Sequence, residues 1–324
     1  MTASSSLNQI QYKAPSLLFN AHFETIYPAL FRKVAAPDYT RERIVTPDND
    51  FLDLDWLTID SAHLVIISHG LEGNTSRAYM RGMALACYKA GYDALTWNFR
   101  GCSEEMNHTL RFYHSGATDD LETVIRHVLA KGIYQHVSLV GFSLGGNLTL
   151  KYLGERGNSV HPFIKDAVAF SVPMDLHTGC LKISARSNWL YAQRFLNSLK
   201  TKVKLKSEKM KGLDTSGINK ISSLLEFDNR YTAPIHGFRD GLHYYEECSS
   251  IHYVQKIQIP TLIVSAKNDP FLSKECYPIE QLKNHPMVKL EIPEQGGHVG
   301  FSLFGQNGVY WSELRTLEFL QSHG

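Results

Sequence analysis

Short apolar runs that end in glycine or turn residues alternate along the chain with stretches of helical periodicity. The apolar runs lie at residues 63–70, 93–99, 137–142, 166–172, 260–267 and 288–293. Apolar residues at helical spacing mark residues 77–90, 116–130, 147–153 and 310–320. Uninterrupted apolar strands that alternate with helices are typical of a parallel sheet covered by helices on both faces. The pattern therefore predicts an α/β fold built on a mostly parallel central sheet.

Two regions depart from this alternation. Residues 41–46 and 53–57 alternate between apolar and polar positions, which predicts an outer antiparallel hairpin around residues 48–50. Between residues 174 and 253 the strand rhythm stops, and the stretch is richer in Lys, Tyr and His. We interpret this stretch as a mostly helical insertion over the carboxyl edge of the sheet, where open α/β sheets bind ligands.

The composition is that of an ordinary globular protein. The chain has 324 residues, and 33 Lys+Arg against 32 Asp+Glu leave a formal net charge of +1. Because this charge provides no global field that would attract DNA, RNA or an anionic membrane, we expect no nucleic-acid partner. The five cysteines are scattered and include no C-x-x-C pair, which argues against a disulfide framework and a structural zinc site.

Neither a targeting signal nor a membrane span is visible in the sequence. Residues 1–11 lack the basic and apolar segments of a secretory signal. The apolar runs, such as residues 64–67 and 167–170, are far shorter than the roughly 20 residues that span a bilayer. With unpaired cysteines, these features lead us to expect a cytoplasmic protein with no transmembrane segment.

One local cluster of charge stands out, at the lysines in positions 200, 202, 204, 206, 209 and 211. Such a cluster is found on surfaces that dock on anionic lipid, and also on ordinary solvated helices. The apolar positions between these lysines form no clear membrane-binding face. We therefore favour a solvated surface over peripheral membrane contact here.

The strongest chemical signal is the sequence GFSLGG at residues 141–146, between a predicted strand and a predicted helix. A nucleophile elbow has this G-x-S-x-G pattern because its serine occupies a strained turn. The flanking glycines remove Cβ atoms that would clash in that turn. The motif alone is weak, but its strand–turn–helix setting leads us to expect that Ser143 is a nucleophile.

An acid and a base follow Ser143 in the order that α/β-hydrolases use. Asp269 comes after the apolar run at 260–267, and His298 comes after the run at 288–293. Both lie past the carboxyl ends of predicted strands, at the edge that presents Ser143. Asp175, just past the run at 166–172, is the rival acid in a location that some triads use, and we favour Asp269 over it.

A fourth feature completes this constellation. Residues 69–74, with the sequence HGLEGN, follow an earlier predicted strand at the same edge. A loop in this place can direct a backbone N–H toward the oxygen of a tetrahedral intermediate. We expect the backbone N–H groups of Leu71 and Leu144 to form the oxyanion hole.

Taken together, these motifs resemble the YheT-like branch of the α/β-hydrolases, also called the AB-hydrolase-4 group. The matching landmarks span nearly the whole chain, at residues 20–25, 28–32, 48–56, 69–73, 98–103, 113–116, 141–147, 196–200, 232–238, 269–271 and 296–301. The resemblance implies an α/β-hydrolase core in residues 1–173 and 254–324, with a mainly helical cap in residues 174–253. It also implies the roles of nucleophile, acid and base for Ser143, Asp269 and His298. Asn268 departs from the acidic residue expected there.

The resulting functional hypothesis is a serine carboxylic-ester hydrolase that acts on short- to medium-chain acyl esters through an acyl-enzyme. An acyltransferase that uses the same triad on an alcohol is one alternative. A catalytically inactive binding protein of the same fold is a weaker one, because such proteins typically lack a triad member. The sequence has no H-E-x-x-H motif or carboxylate cluster, so we expect neither a metal nor another cofactor.

Overall fold

The computed structural model describes residues 11–323, so the sequence prediction for residues 1–10 lies outside the described range. Within that range, eight strands form one sheet in the order β1-β2-β4-β3-β5-β6-β7-β8. The strands are β1 (Thr40–Val45), β2 (Phe51–Leu57), β3 (His63–Ser68), β4 (Asp93–Asn98), β5 (His136–Phe142), β6 (Ile164–Phe170), β7 (Thr261–Val264) and β8 (Val288–Glu291). From β4 to β8 all neighbours are parallel, as the apolar runs predict.

Helices cover both faces of this sheet, which confirms the predicted fold class. They are α1 (Ala21–Phe31), α2 (Ala78–Lys89), α3 (Thr118–Ala130), α4 (Leu144–Arg156), α5 (Leu176–Ser184), α6 (Trp189–Lys209), α7 (Leu224–Phe227), α8 (Ala233–Ile235), α9 (Gly241–Cys248), α10 (Ile279–Leu282) and α11 (Trp311–Gln321). Successive residues of β6 point to opposite faces. One face packs on α2 and α11, and the other packs on α3 and α4.

The predicted hairpin lies at one edge of the sheet. β1 and β2 pair antiparallel, and β2 continues antiparallel onto β4. The Thr46 N–H donates a hydrogen bond of 2.9 Å to the Asp50 carbonyl and closes the turn. At the opposite edge, β8 differs from the fully buried strand that its sequence predicts, because it has a neighbour on one side only. Its Lys289 is exposed, whereas Val288 is buried.

Between β6 and β7 the described residues form the helices α5 to α9, joined by turns and loops, and no strand is among them. The lysine cluster lies on and just after α6, and Lys209 and Lys211 are exposed as expected, but two other lysines depart from a solvated surface. The Lys206 ammonium is buried and donates hydrogen bonds of 2.7 Å to the carbonyls of Thr109 and Arg111. Lys202 reaches the Glu72 carboxylate at 2.8 Å. Two of the lysines therefore face inward, where each finds acceptors.

Among residues 11–323, no helix combines the length and the apolar composition that crossing a bilayer requires.

Candidate active site

Ser143 sits on the sharp turn between β5 and α4. Its φ of 53° and ψ of −117° lie outside the regions that side chains favour, and such strain costs on the order of 1–3 kcal/mol. The Ser143 N–H donates to the Phe170 carbonyl at 2.8 Å, which ties the turn to β6. A Cβ on Gly145 would lie 2.5 Å from the carbonyl oxygens of Ser68 and His69. The glycine is therefore required, as the motif predicts.

The structure brings Ser143, His298 and Asp269 together. His298 Nε2 lies 2.9 Å from Ser143 Oγ, and His298 Nδ1 lies 2.9 Å from Asp269 Oδ2. Because a carboxylate accepts only, the geometry assigns the imidazole proton to Nδ1 and leaves Nε2 free to accept the serine proton. The Asp269 side chain is fully buried, and its Oδ1 also accepts a hydrogen bond of 2.9 Å from the Phe271 N–H.

The rival acid, Asp175, is engaged elsewhere. It is the N-cap of α5, and its side chain accepts a hydrogen bond of 2.9 Å from the Thr178 N–H. Among the contacts of residues 11–323, the carboxylate paired with His298 is that of Asp269. The geometry thus favours Asp269, in agreement with the sequence preference.

The two predicted oxyanion donors lie on either side of Ser143. Leu144 is in the first turn of α4, where backbone N–H groups have no acceptor within the helix. On the other side, the loop after β3 approaches so closely that a Cβ on Gly70 would lie 3.2 Å from Ser143 Cβ. The neighbouring N–H groups of Gly70 and Glu72 donate to tyrosine hydroxyls. Within residues 11–323, the Leu71 N–H has no acceptor.

The buried side chain of His69 stabilises the loop after β3. His69 Nδ1 lies 2.8 Å from the Gly70 carbonyl, and the Phe99 N–H donates to His69 Nε2 at 3.1 Å. These two partners fit a neutral ring with its proton on Nδ1. Burial lowers the pKa of His69 to about 3, because the charged form would lose its hydration. His69 is therefore neutral at physiological pH.

The loop after β3 is also tied to α6. Glu72 is the acceptor here: its carboxylate receives hydrogen bonds from the Tyr113 hydroxyl at 2.7 Å and from the Lys202 ammonium at 2.8 Å. The Ser198 hydroxyl donates to the same carboxylate. Two of these three donors belong to α6. The position of this helix and that of the loop after β3 are therefore linked by hydrogen bonds.

The His298 loop is held by residues that sequence reasoning missed. The Thr25 hydroxyl, on α1, accepts a hydrogen bond of 2.9 Å from the His298 N–H. Buried Glu24 accepts from the Gly296 N–H at 2.5 Å and from the Asn268 amide at 3.1 Å. Asn268 in turn accepts from the Gly297 N–H at 3.1 Å. The motif at residues 20–25 was the available signal, but it suggested no chemical role.

This network also explains the departure at Asn268. An amide both donates and accepts, so it can bridge the Glu24 carboxylate and the Gly297 N–H. An ionised acidic side chain at position 268 would place a second carboxylate beside Glu24, without a proton to share between them.

No metal site was found in the described part of the chain: no three His, Cys, Asp or Glu side chains in residues 11–323 converge suitably. A wide groove of about 920 Å³ lies near the amino ends of β7 and β8 and is lined in part by Thr261, Val288 and Arg315. It is at the end of these strands opposite to the triad and does not include any of its three residues.

Comparison with known proteins identifies the family. The family model for the alpha/beta hydrolase fold matches residues 63–303. YheT of Escherichia coli (strain K12), which is named as a candidate esterase, is 33% identical over 94% of this chain and 91% of its own length. Phospholipase ABHD3 of Bos taurus is 31% identical over 81% of this chain, and the match spans 66% of that protein.

A solved structure supports the same fold. An esterase of Pyrococcus furiosus superposes with a TM-score of 0.61 at 19% identity, over 89% of this chain and 91% of that chain. The sheet order, the family match and the similarity to YheT all agree with the motifs quoted above. The chain belongs to the α/β-hydrolase fold family, in its YheT-like branch.

Proposed function

We propose that this protein is a serine carboxylic-ester hydrolase that forms an acyl-enzyme on Ser143. The observation that carries the proposal is the continuous hydrogen-bonded line from Ser143 Oγ through His298 to Asp269, with 2.9 Å at each step. A nucleophile, a base and a buried carboxylate in this line are what activation of a serine requires. The names of its relatives, an esterase and a phospholipase, support ester chemistry.

Acylation follows from this arrangement. Ser143 Oγ attacks the ester carbonyl carbon while His298 Nε2 takes the hydroxyl proton, and Asp269 stabilises the resulting imidazolium. The N–H groups of Leu71 and Leu144 donate to the oxyanion, and loss of one such donor costs about 3 kcal/mol. When the tetrahedral intermediate collapses, the ester C–O bond breaks and His298 gives its proton to the leaving alcohol.

Deacylation uses the same groups with water. His298 takes a proton from the water molecule as its oxygen bonds to the acyl carbon. The bond between the acyl carbon and Ser143 Oγ then breaks, and His298 returns the proton to that oxygen. The products are a carboxylic acid and an alcohol, and no metal or organic cofactor enters the sequence.

The substrate we propose is an ester with a short- to medium-chain acyl group, bound under a cap formed by residues 174–253. Aromatic side chains of α6 reach the triad: the Tyr191 ring lies 4.7 Å from Phe271, and Phe271 lies 4.3 Å from the His298 ring. Phe195 lies 6.1 Å from the same Phe271 ring. Apolar walls of this kind bind hydrocarbon chains and exclude water from the reacting carbonyl.

The direct test is mass spectrometry after treatment with a fluorophosphonate, which labels activated serines. We expect one adduct on wild-type protein at Ser143, no adduct on Ser143→Ala, and strongly slowed labelling of His298→Ala. Exposed Ser187 supplies a matched control, and Ser187→Ala should label like wild type. Absence of an adduct on folded wild type would contradict the proposal and favour a binding protein.

Hydrolysis and transfer to an alcohol share the acyl-enzyme, so product analysis distinguishes them. With a short-chain ester and added ethanol, we expect free carboxylic acid as the main product. A predominance of ethyl ester at equal acyl-enzyme formation would instead identify an acyltransferase.

A further inference from the structure

The first helix exposes an apolar stripe to solvent. Phe23, Ile26, Leu30 and Phe31 of α1 are all exposed, and their spacing places them on one side of the helix. The opposite side is the buried one, and it carries Glu24, Thr25 and Pro28. An amphipathic helix normally turns its apolar stripe toward the core. Here the core-facing side is the more polar one, so packing within the described chain does not explain the stripe.

Further exposed apolar side chains extend this stripe, and we call the full set the apolar rim. Leu17 is 74% exposed, Phe19 69% and Leu190 72%. The helices α1 and α6 meet where His22 Nδ1 lies 3.2 Å from the Tyr191 hydroxyl. The apolar rim consists of Leu17, Phe19, Phe23, Ile26, Leu30, Phe31, Trp189 and Leu190.

The apolar rim is large for a protein surface. At roughly 200 Å² for each large side chain, about half of it exposed, the rim presents on the order of 800 Å² of apolar surface. The largest apolar patch on a typical monomer is about 300–600 Å², and larger ones mark interaction sites. Its size therefore points to a docking surface.

The rim lies beside the triad. On α1, Thr25 binds the backbone of His298, while its neighbours Phe23 and Ile26 are exposed in the rim. On α6, Tyr191 follows Leu190 and contacts Phe271, which contacts the His298 ring. The rim is thus separated from His298 by the helix α1 on one side and by the rings of Tyr191 and Phe271 on the other.

Charge decides which partner fits. Residues 11–37 and 176–207 contain one acidic residue, Glu24, and its carboxylate points inward onto the His298 loop. The exposed lysines and arginines of these two stretches, which also carry the rim, are Lys13, Lys33, Lys182, Arg186 and Arg194. Apolar side chains flanked by basic ones are the pattern that binds anionic lipid at a bilayer surface.

We propose that the apolar rim docks on the surface of a phospholipid bilayer that contains anionic lipid. The aromatic and aliphatic side chains enter the boundary between headgroups and acyl chains, and the basic residues pair with the headgroups. Docking places the triad at the membrane surface, so that esters carried in the bilayer reach Ser143. This last consequence, unlike docking itself, rests on the proposed ester hydrolysis.

The experiment is co-sedimentation with phosphatidylcholine vesicles and with equimolar phosphatidylcholine–phosphatidylglycerol vesicles. The test variant carries Phe19→Ser, Leu30→Ser and Leu190→Ser. The control carries Val45→Ser, Ile133→Ser and Ile279→Ser, which remove equally exposed apolar side chains outside the rim. We expect wild type and the control to bind the mixed vesicles and the test variant to bind at least about tenfold more weakly.

Two further measurements complete the test. Arg186→Gln with Arg194→Gln should weaken binding to the mixed vesicles and leave the weaker binding to phosphatidylcholine alone unchanged. A soluble short-chain ester should be hydrolysed at the wild-type rate by all variants, so failure of docking and failure of the proposed function give different results. Equal binding by test and control variants overturns the proposal. So does a wild-type dimer that the test variant converts to a monomer, because the rim would then bind a second copy.

Discussion

The turn that carries Ser143 and the loop that carries His298 meet at 2.9 Å, yet they are held in place differently. The turn is held by backbone contacts. Its glycines allow close contact with the neighbouring strand, and the Ser143 N–H donates to the Phe170 carbonyl. The loop is held by side chains of α1, and Thr25 lies 273 positions before His298 in the chain. One half of the site is therefore built from local backbone geometry, and the other half from distant polar side chains.

This difference predicts how each half fails. Damage to the turn places atoms inside a packed backbone and should destabilise the whole sheet. Damage to the loop removes one hydrogen bond and should leave the fold intact while His298 loses its orientation. Substitutions in the Ser143 turn should therefore lower stability, whereas substitutions around the His298 loop should lower activity.

The largest expected effect concerns the acid that orients His298. Asp269→Asn should lower kcat/KM for a soluble ester roughly 10⁴-fold, because an amide favours the wrong imidazole tautomer. The matched variant Asp175→Asn retains the N-cap of α5 and should stay within about twofold of wild type. Steady-state kinetics on both variants checks this, and the reverse ranking would transfer the role of the acid to Asp175.

On the serine side, Gly145→Ala should destabilise the protein by about 3 kcal/mol, because its Cβ would lie 2.5 Å from two carbonyl oxygens. Gly179→Ala is the control. That glycine is also helical, but its nearest non-local neighbours lie 3.5 Å or more from the added Cβ. Urea unfolding should show the control to be as stable as wild type or up to about 1 kcal/mol more stable. Equal stability of the two variants would refute the clash.

Low pH should lower the free energy of unfolding through His69, which supports the loop beside Ser143. Its pKa is about 3 in the folded protein against 6.5 for an ordinary histidine. The unfolded chain therefore takes up a proton near pH 6.5 and the folded protein does not. The stabilisation from His69 is complete above pH 6.5 and is lost as pH falls toward 3, by about 3 kcal/mol at pH 4.

The measurement is urea unfolding of wild type and His69→Asn at pH 8 and pH 4. The stability advantage of wild type should shrink by that amount at the lower pH. Ser187→Ala supplies the control, since it removes no titratable group from an exposed position and should differ from wild type equally at both pH values. A pH-independent difference for His69→Asn would mean that the histidine protonates equally in both states.

The smallest effect is expected at Thr25, which holds the His298 loop. Thr25→Val removes the acceptor of the His298 N–H and should lower kcat about tenfold with KM unchanged, because positioning changes but binding does not. Thr25→Ser should restore most of kcat. The hydroxyls of Thr25 and Thr201 both donate to the carbonyl four residues earlier, so Thr201→Val, at an exposed position of α6, is the control. A parallel loss in both valine variants would indicate a helix effect rather than positioning.

Much of the fold could be predicted because its signals are local. Apolar runs indicated β3 to β8, alternation indicated the hairpin of β1 and β2, and glycine spacing indicated the turn at Ser143. The exposure of β8 was not predictable, because it depends on the place of the strand in the sheet order. The orientations of Lys202 and Lys206 were likewise decided by acceptors on segments distant in the chain.

The sequence by itself determined the α/β class, the chain order of the proposed nucleophile, acid and base, and the glycines that the Ser143 turn requires. Each of these can be read from residues close together in the chain, because backbone sterics and strand burial act over a few positions. Only the tertiary structure decided that Glu24 and Thr25 hold the His298 loop and that α1 turns its apolar stripe outward. Hydrogen bonds between remote segments depend on how the elements pack, and no spacing along the chain encodes them.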